Sequence, residues 1–265
     1  MNLFFREMKA ARKSLILWCI GSFLMAASGM AKFEGLDSTG ESLQQLVSTM
    51  PRSLQAVMGT GSLDLSTAVG YYGILFTYLL LMAAIHSLML GAGIIAKEER
   101  GKTAEFLLSK PISRSRIMTA KLAAALVNVL IFNLVTFVFS VISVAKFAKT
   151  EDSISDLSLL MTGMFLVQLM FLAAGSGIAA SGKKPKRAVS MGTALLLAAY
   201  ILSIAIDLSQ KLEFLQYLTP FKYFEAKRVL IDGGLDPVFI LLSIGIVFIL
   251  TIVAYISFNK RDIQV

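Results

Sequence analysis

Long apolar runs separated by short charged stretches are the dominant pattern along the chain. A helix crossing the hydrocarbon core of a bilayer needs about 20 mostly apolar residues, and runs of that length fall near 15–33, 70–96, 121–145, 157–181, 188–207 and 237–258. The pattern predicts a single transmembrane domain, an all-α membrane protein with six transmembrane helices. Of the longer connections, 34–69 is polar and mixed, broken by Pro51, Gly59 and Gly61, with short helices expected near 43–47 and 54–58 as a small cap. The connection 208–236 alternates Phe214, Tyr217, Phe221, Tyr223 and Phe224 with Lys211, Lys222, Lys227 and Arg228. That mixture suits a helix lying at the headgroup boundary or dipping into it, where rings pack in the interface and basic side chains snorkel to water, and Pro220 should break it in two.

Charge orients the spans. Of the 25 Lys and Arg, 17 fall in connections on the side of the termini and 8 on the other, so the positive-inside rule places both termini in the cytoplasm, with 34–69 and 208–236 external. An odd number of spans would break this alternation. Ahead of the first run, Leu3, Phe4, Phe5, Met8 and Ile16 oppose Arg6, Lys9, Arg12 and Lys13 at roughly helical spacing. Residues 1–14 therefore read as an amphipathic helix on the cytoplasmic leaflet or, equally, as a topology signal extended into the first span. With its flanks, the first run is long enough to be an uncleaved span and not a signal peptide.

Composition agrees. At 56% hydrophobic, 16% charged and a mean hydropathy of +0.75, the chain has too little polar surface to coat a soluble globule. A net charge of +8 would suggest nucleic acid in a soluble protein, but here the basic residues sit in blocks between apolar runs, so no nucleic-acid partner is expected. The one cysteine, Cys19, has no partner for an intrachain disulfide or a cysteine-cluster metal site.

Hydrolytic chemistry finds no home in the sequence. The string GIAASGK at 177–183 has phosphate-loop spacing, but Lys184 stands where the magnesium-binding Ser or Thr belongs, and the string closes a span instead of following a strand. Its glycines, with Gly175 and Ser176, read as sites of close helix contact. His86, the only histidine, lacks the neighbours a zinc-peptidase motif requires. Asn128, Asn133, Gln168 and Asp207 are the other polar groups at or near membrane depth. They are candidates for lining a translocation path, and the amides serve equally as interhelical hydrogen-bond partners.

The most specific stretch is the cytoplasmic connection, KEERGKTAEFLLSKPISRSRIMTAK at 97–121. Glu98, Glu99, Arg100, Lys102 and Glu105 put charge on one side, and Phe106, Leu107 and Leu108 form a short apolar patch. Pro111 blocks continuation and Ser113 is a good cap for the helix entering the third span. A charged, corner-braced element with leucines at the membrane face is what docking to a soluble partner requires.

These residues resemble the ABC-2 family of ATP-binding-cassette permeases, the six-span bacterial export subunits. Their segment E-x-G-[KT]-x-x-E-x-L-L-S-x-P-[IV]-S-R-x-x-I is similar to Glu99, Gly101, Lys102, Thr103, Glu105, Leu107, Leu108, Ser109, Pro111, Ile112, Ser113, Arg114 and Ile117 here. Similarity extends to Leu218, Thr219, Pro220, Phe221, Tyr223 and Phe224, and to Phe258–Ile263. The resemblance implies that 97–120 is a coupling helix seated on a separate cytoplasmic ABC ATPase, with Glu98, Glu99, Gly101, Thr103, Glu105, Leu107, Leu108, Pro111, Arg114 and Arg116 at the interface. It implies further that ATP and magnesium are bound by that partner and no cofactor by this chain. It also implies a second permease copy or homologue, and a bacterial inner-membrane location. The cargo would be a drug, antimicrobial peptide or lipid-like molecule. Three alternatives stand beside it: an intramembrane enzyme centred on His86 and Asp207, a non-transporting peptide sensor or immunity protein using the 34–69 cap, and a secondary transporter, which the scarcity of buried acids disfavours.

Overall fold

In the computed structural model of the chain, the described residues are 3–39, 43–58, 60, 63–101, 112–146, 153–182 and 185–260. They form α1 (Leu3–Thr39), α2 (Leu43–Ser48), α3 (Arg52–Met58), α4 (Ala68–Arg100), α5 (Arg114–Ala145), α6 (Ser153–Ser181), α7 (Pro185–Leu208), α8 (Ala226–Asp232) and α9 (Pro237–Lys260), with 3-10 turns at Gln210–Leu218 and Pro220–Lys222. There is no strand among the described residues. Six helices, α1, α4, α5, α6, α7 and α9, are long and apolar enough to cross a membrane.

The helices outrun the apolar runs. α5 begins at Arg114, where the Ser113 hydroxyl accepts from the Arg116 amide at 3.3 Å, and α4 begins behind Thr67, whose hydroxyl accepts from the Gly70 amide at 3.0 Å. Each cap satisfies an amide that the first helical turn cannot. α1 runs unbroken from Leu3, so the amphipathic start and the first span are one helix.

α4 and α6 form the centre of the bundle: 67% and 61% of their most apolar stretches are buried, against 17% in α9. α6 packs on α4 and α9, α1 on α5 and α4, and α7 on α4. The close approach of the central pair depends on glycine. A Cβ on Gly91 would lie 2.4 Å from the Leu172 carbonyl oxygen, and one on Gly175 would lie 2.4 Å from that of Leu88, so each helix sets a bare backbone against the other. Gly177 has only an ordinary 3.7 Å contact. The outer helices present Leu17, Leu24, Ile142, Ile201, Leu241 and Phe248 as exposed apolar side chains. That surface is costly in water and neutral in lipid.

Two polar ends cap this bundle. At the end opposite the termini, the connection after α7 is partly buried: Phe221, Tyr223 and Phe224 are covered, while Phe214, Tyr217 and Leu218 stay exposed. Tyr223 stacks on Phe239 at 4.9 Å and donates to the Tyr217 carbonyl at 2.6 Å, and burial pushes its hydroxyl pKa up to about 12. Pro220 opens the second 3-10 turn there. The other end, where α1 starts and α9 finishes, gathers the apolar Ile95, Ile117, Met118, Ala125, Ala180 and Phe258 around buried charge.

Candidate functional site

The connection 97–120 leaves the bundle through the last turn of α4 and returns through the first turn of α5. Gly101 closes α4, its amide donating to the Lys97 carbonyl at 2.9 Å. Lys102 to Pro111 lie outside the described residues, and with them Thr103, Glu105, Leu107, Leu108 and Pro111. Arg116 is exposed, Arg114 is half-buried and donates to the Asn259 carbonyl at 3.2 Å, and Ser115 bonds the Asn259 side chain. Glu99 is half-buried on α4.

Glu98 turns the other way. Its carboxylate is buried, 2.5 Å from the Lys121 ammonium and 2.8 Å from the Arg6 guanidinium. Lys121 is only 1% exposed and also donates to the Ile94 carbonyl. Arg6 bridges to Glu7, also 1% exposed, which takes Lys97 at 2.9 Å. Five charges from α1, α4 and α5 therefore form one chain of pairs, Lys121–Glu98–Arg6–Glu7–Lys97, immediately behind the connection. Buried ions are tolerated only when paired and hydrogen-bonded, so each helix end is fixed by its neighbours' charges. A displacement of the end of α4 must move α1 and α5, or break a pair.

Glu7 and Lys121 were not singled out from the sequence, although both carried a signal. Glu7 is the one acid within the basic stretch Arg6 to Lys13, and Lys121 stands on the same helical face as Ile117, Ala125 and Asn128, all buried.

Comparison with known families supplies the deciding observation. The model for the family described as ABC-2 family transporter protein matches residues 1–263, nearly the whole chain. The chain belongs to that family. No curated protein matches it. As an ABC-2 transporter protein it is a multi-pass membrane transport component, and membership implies partnership with an ABC ATPase subunit.

Within this ABC-2 protein the polar residues at membrane depth divide into separate places. Asn133 and Gln168 meet across α5 and α6 at 3.1 Å, and Asn133 also donates to the Met161 carbonyl, so this pair clamps two helices in the core. Asn128 and His86 line a cavity of about 340 Å³ between α1 and α4. Asp207 sits at the opposite end, lining another of about 260 Å³ with Ser203, Tyr200, Glu225 and Lys227, and it accepts from Lys222 and Lys227 at 2.6 Å each. Lys222 also pairs with Glu225. Burial works against the Lys227 ammonium, but Glu225 and Asp207 outweigh it and hold its pKa above the ordinary lysine value. His86 packs between Trp18 and Phe132, at 5.5 and 4.8 Å, and shares neither cavity nor partner with Asp207. These two residues form no catalytic dyad.

Proposed function

We propose that the chain is the permease subunit of an ATP-driven exporter in a bacterial inner membrane, with both termini cytoplasmic, working as a dimer with a copy or homologue of itself. A separate ATPase subunit docks on 97–120 and supplies ATP and magnesium. The observation that carries this is the buried chain of pairs behind the connection. It gives a soluble partner that pushes on 97–120 a rigid purchase on α1 and α5, so that closure of the ATPase can bias a two-state bundle. Glu98 then acts as an internal strut, whereas Glu99 and Glu105, with the exposed Arg116, belong to the docking face. The cargo is an amphiphilic drug, peptide or lipid-like molecule.

Glu99→Lys combined with Glu105→Lys should lower export at least about tenfold by placing like charge against the partner's groove, with expression and melting temperature unchanged. Transport is read in inverted membrane vesicles supplied with ATP. Wild-type transport by the doubly reversed, well-expressed chain would count against the assignment.

A further inference from the structure

We propose that the cleft between α1 and α4, in the half of the bundle that bears the termini, binds an amphiphile drawn from the surrounding bilayer, whose polar group donates hydrogen bonds as an alkylamine does. The cleft holds about 340 Å³. From His86 to Lys97 it follows α4 for roughly 16 Å, at about 1.5 Å per helical residue. Leu15, Trp18, Leu90 and Ile94 give it apolar walls, and the exposed Met89 and Ser14 stand at its edge, so it opens sideways between the two helices.

Two polar side chains set into these walls have unused hydrogen-bonding capacity. His86 is 3% exposed, and its Nδ1 has no partner among the described residues. Asn128 is 1% exposed; its amide nitrogen donates to the Ala124 carbonyl at 2.8 Å and to the Met8 sulfur at 3.0 Å, while Oδ1 accepts from none of the described residues. A buried polar group without a partner is costly, so such groups persist where something else completes them. Their spare capacity is weighted toward acceptance: an amide oxygen and, in a neutral imidazole, one ring nitrogen. At the charged end the Lys97 ammonium is already held by the Glu7 carboxylate at 2.9 Å, within a chain of three cations and two carboxylates, so selectivity rests on the acceptors along the wall and not on that end. An apolar slot with acceptors along one wall selects a chain with a donor on it.

This site rests on the exporter assignment only in that cargo would board there; binding itself requires no ATPase. Trp18 is the single tryptophan of the chain and lines the cleft, so its emission reads occupancy directly. The purified chain in lipid nanodiscs is titrated with dodecylamine and, in parallel, with dodecanoate. Dodecylamine should give a saturable change in Trp18 emission at a concentration at least about tenfold below any change caused by dodecanoate, the equivalent of one hydrogen bond. Asn128→Leu should weaken the dodecylamine response at least about tenfold. Gly93 also lines the cleft, and a Cβ there would meet nothing within 4 Å. Gly93→Leu should therefore fill the slot and abolish the saturable change without lowering the melting temperature. A response that does not saturate, that survives Gly93→Leu, or that dodecanoate matches overturns the proposal. Loss of the cleft response with ATP-driven, Glu99- and Glu105-dependent export intact would leave the exporter standing; the reverse would remove the exporter and keep the cleft.

Discussion

Glu98→Ala is expected to lower the stability of the purified chain by about 3–5 kcal/mol, because it removes the carboxylate bonded to the buried Lys121 ammonium, leaving it the Ile94 carbonyl and the more distant charge of Glu7. Arg6 is spared by comparison, since it keeps Glu7. Removing both members of the central pair, Glu98→Leu with Lys121→Met, replaces two buried ions with apolar side chains of similar bulk and should recover most of the loss. The double-mutant cycle, read from thermal melts in one detergent, should therefore show strong coupling between the two positions. Strictly additive losses would mean that the ions are solvated independently and that no strut exists. The double variant has a second use. If Glu98 transmits force from the docking face, the recovered protein should fold normally yet export poorly, which separates stability from coupling.

Gly175→Leu should be among the most damaging single substitutions in the spans. The first added carbon already falls 2.4 Å from the Leu88 carbonyl oxygen and 3.0 Å from the Ala92 amide nitrogen, both backbone atoms that cannot rotate away. α4 and α6 must then separate along the most buried contact of the bundle. The loss should exceed the roughly 1–3 kcal/mol typical of overpacking, and little folded protein should survive extraction. Gly245→Leu on α9 is the matched control: a Cβ there meets nothing within 4 Å, so a leucine should be accommodated with normal yield. Equal yields of the two variants in size-exclusion profiles would show that the central helices are not in backbone contact.

These two expectations also mark what could be read in the residue order. The six spans were legible because hydrophobic run length is a direct response to bilayer thickness and needs no tertiary information. Ser113 as a cap was legible for the same local reason. Gly175 was recognised as a contact glycine from its small neighbours, but its partner Gly91 was not, since only the pairing of α4 with α6 brings the two backbones together. Long-range geometry likewise explains why Glu98 faces inward. Its neighbours Glu99 and Arg100 make it look like part of a solvated charge run, and only Lys121 on α5 and Arg6 on α1, both remote in sequence, turn it inward. Asn128, Asn133, Gln168 and Asp207 were selected together as polar groups in an apolar setting. The fold disperses them: one pair ties helices, Asn128 borders a cleft, and Asp207 anchors two lysines at the far end.

On this reading an ATPase docks on the 97–120 connection and drives the bundle through it. The most direct test is to purify the tagged chain from its native membrane in mild detergent and measure ATP hydrolysis in the eluate, with wild type and the Glu99→Lys, Glu105→Lys variant side by side. ATP hydrolysis, together with an ABC ATPase polypeptide, should elute with wild type and fall at least about tenfold with the equally folded variant. Undiminished ATPase on the variant, or none on wild type, would contradict the claim.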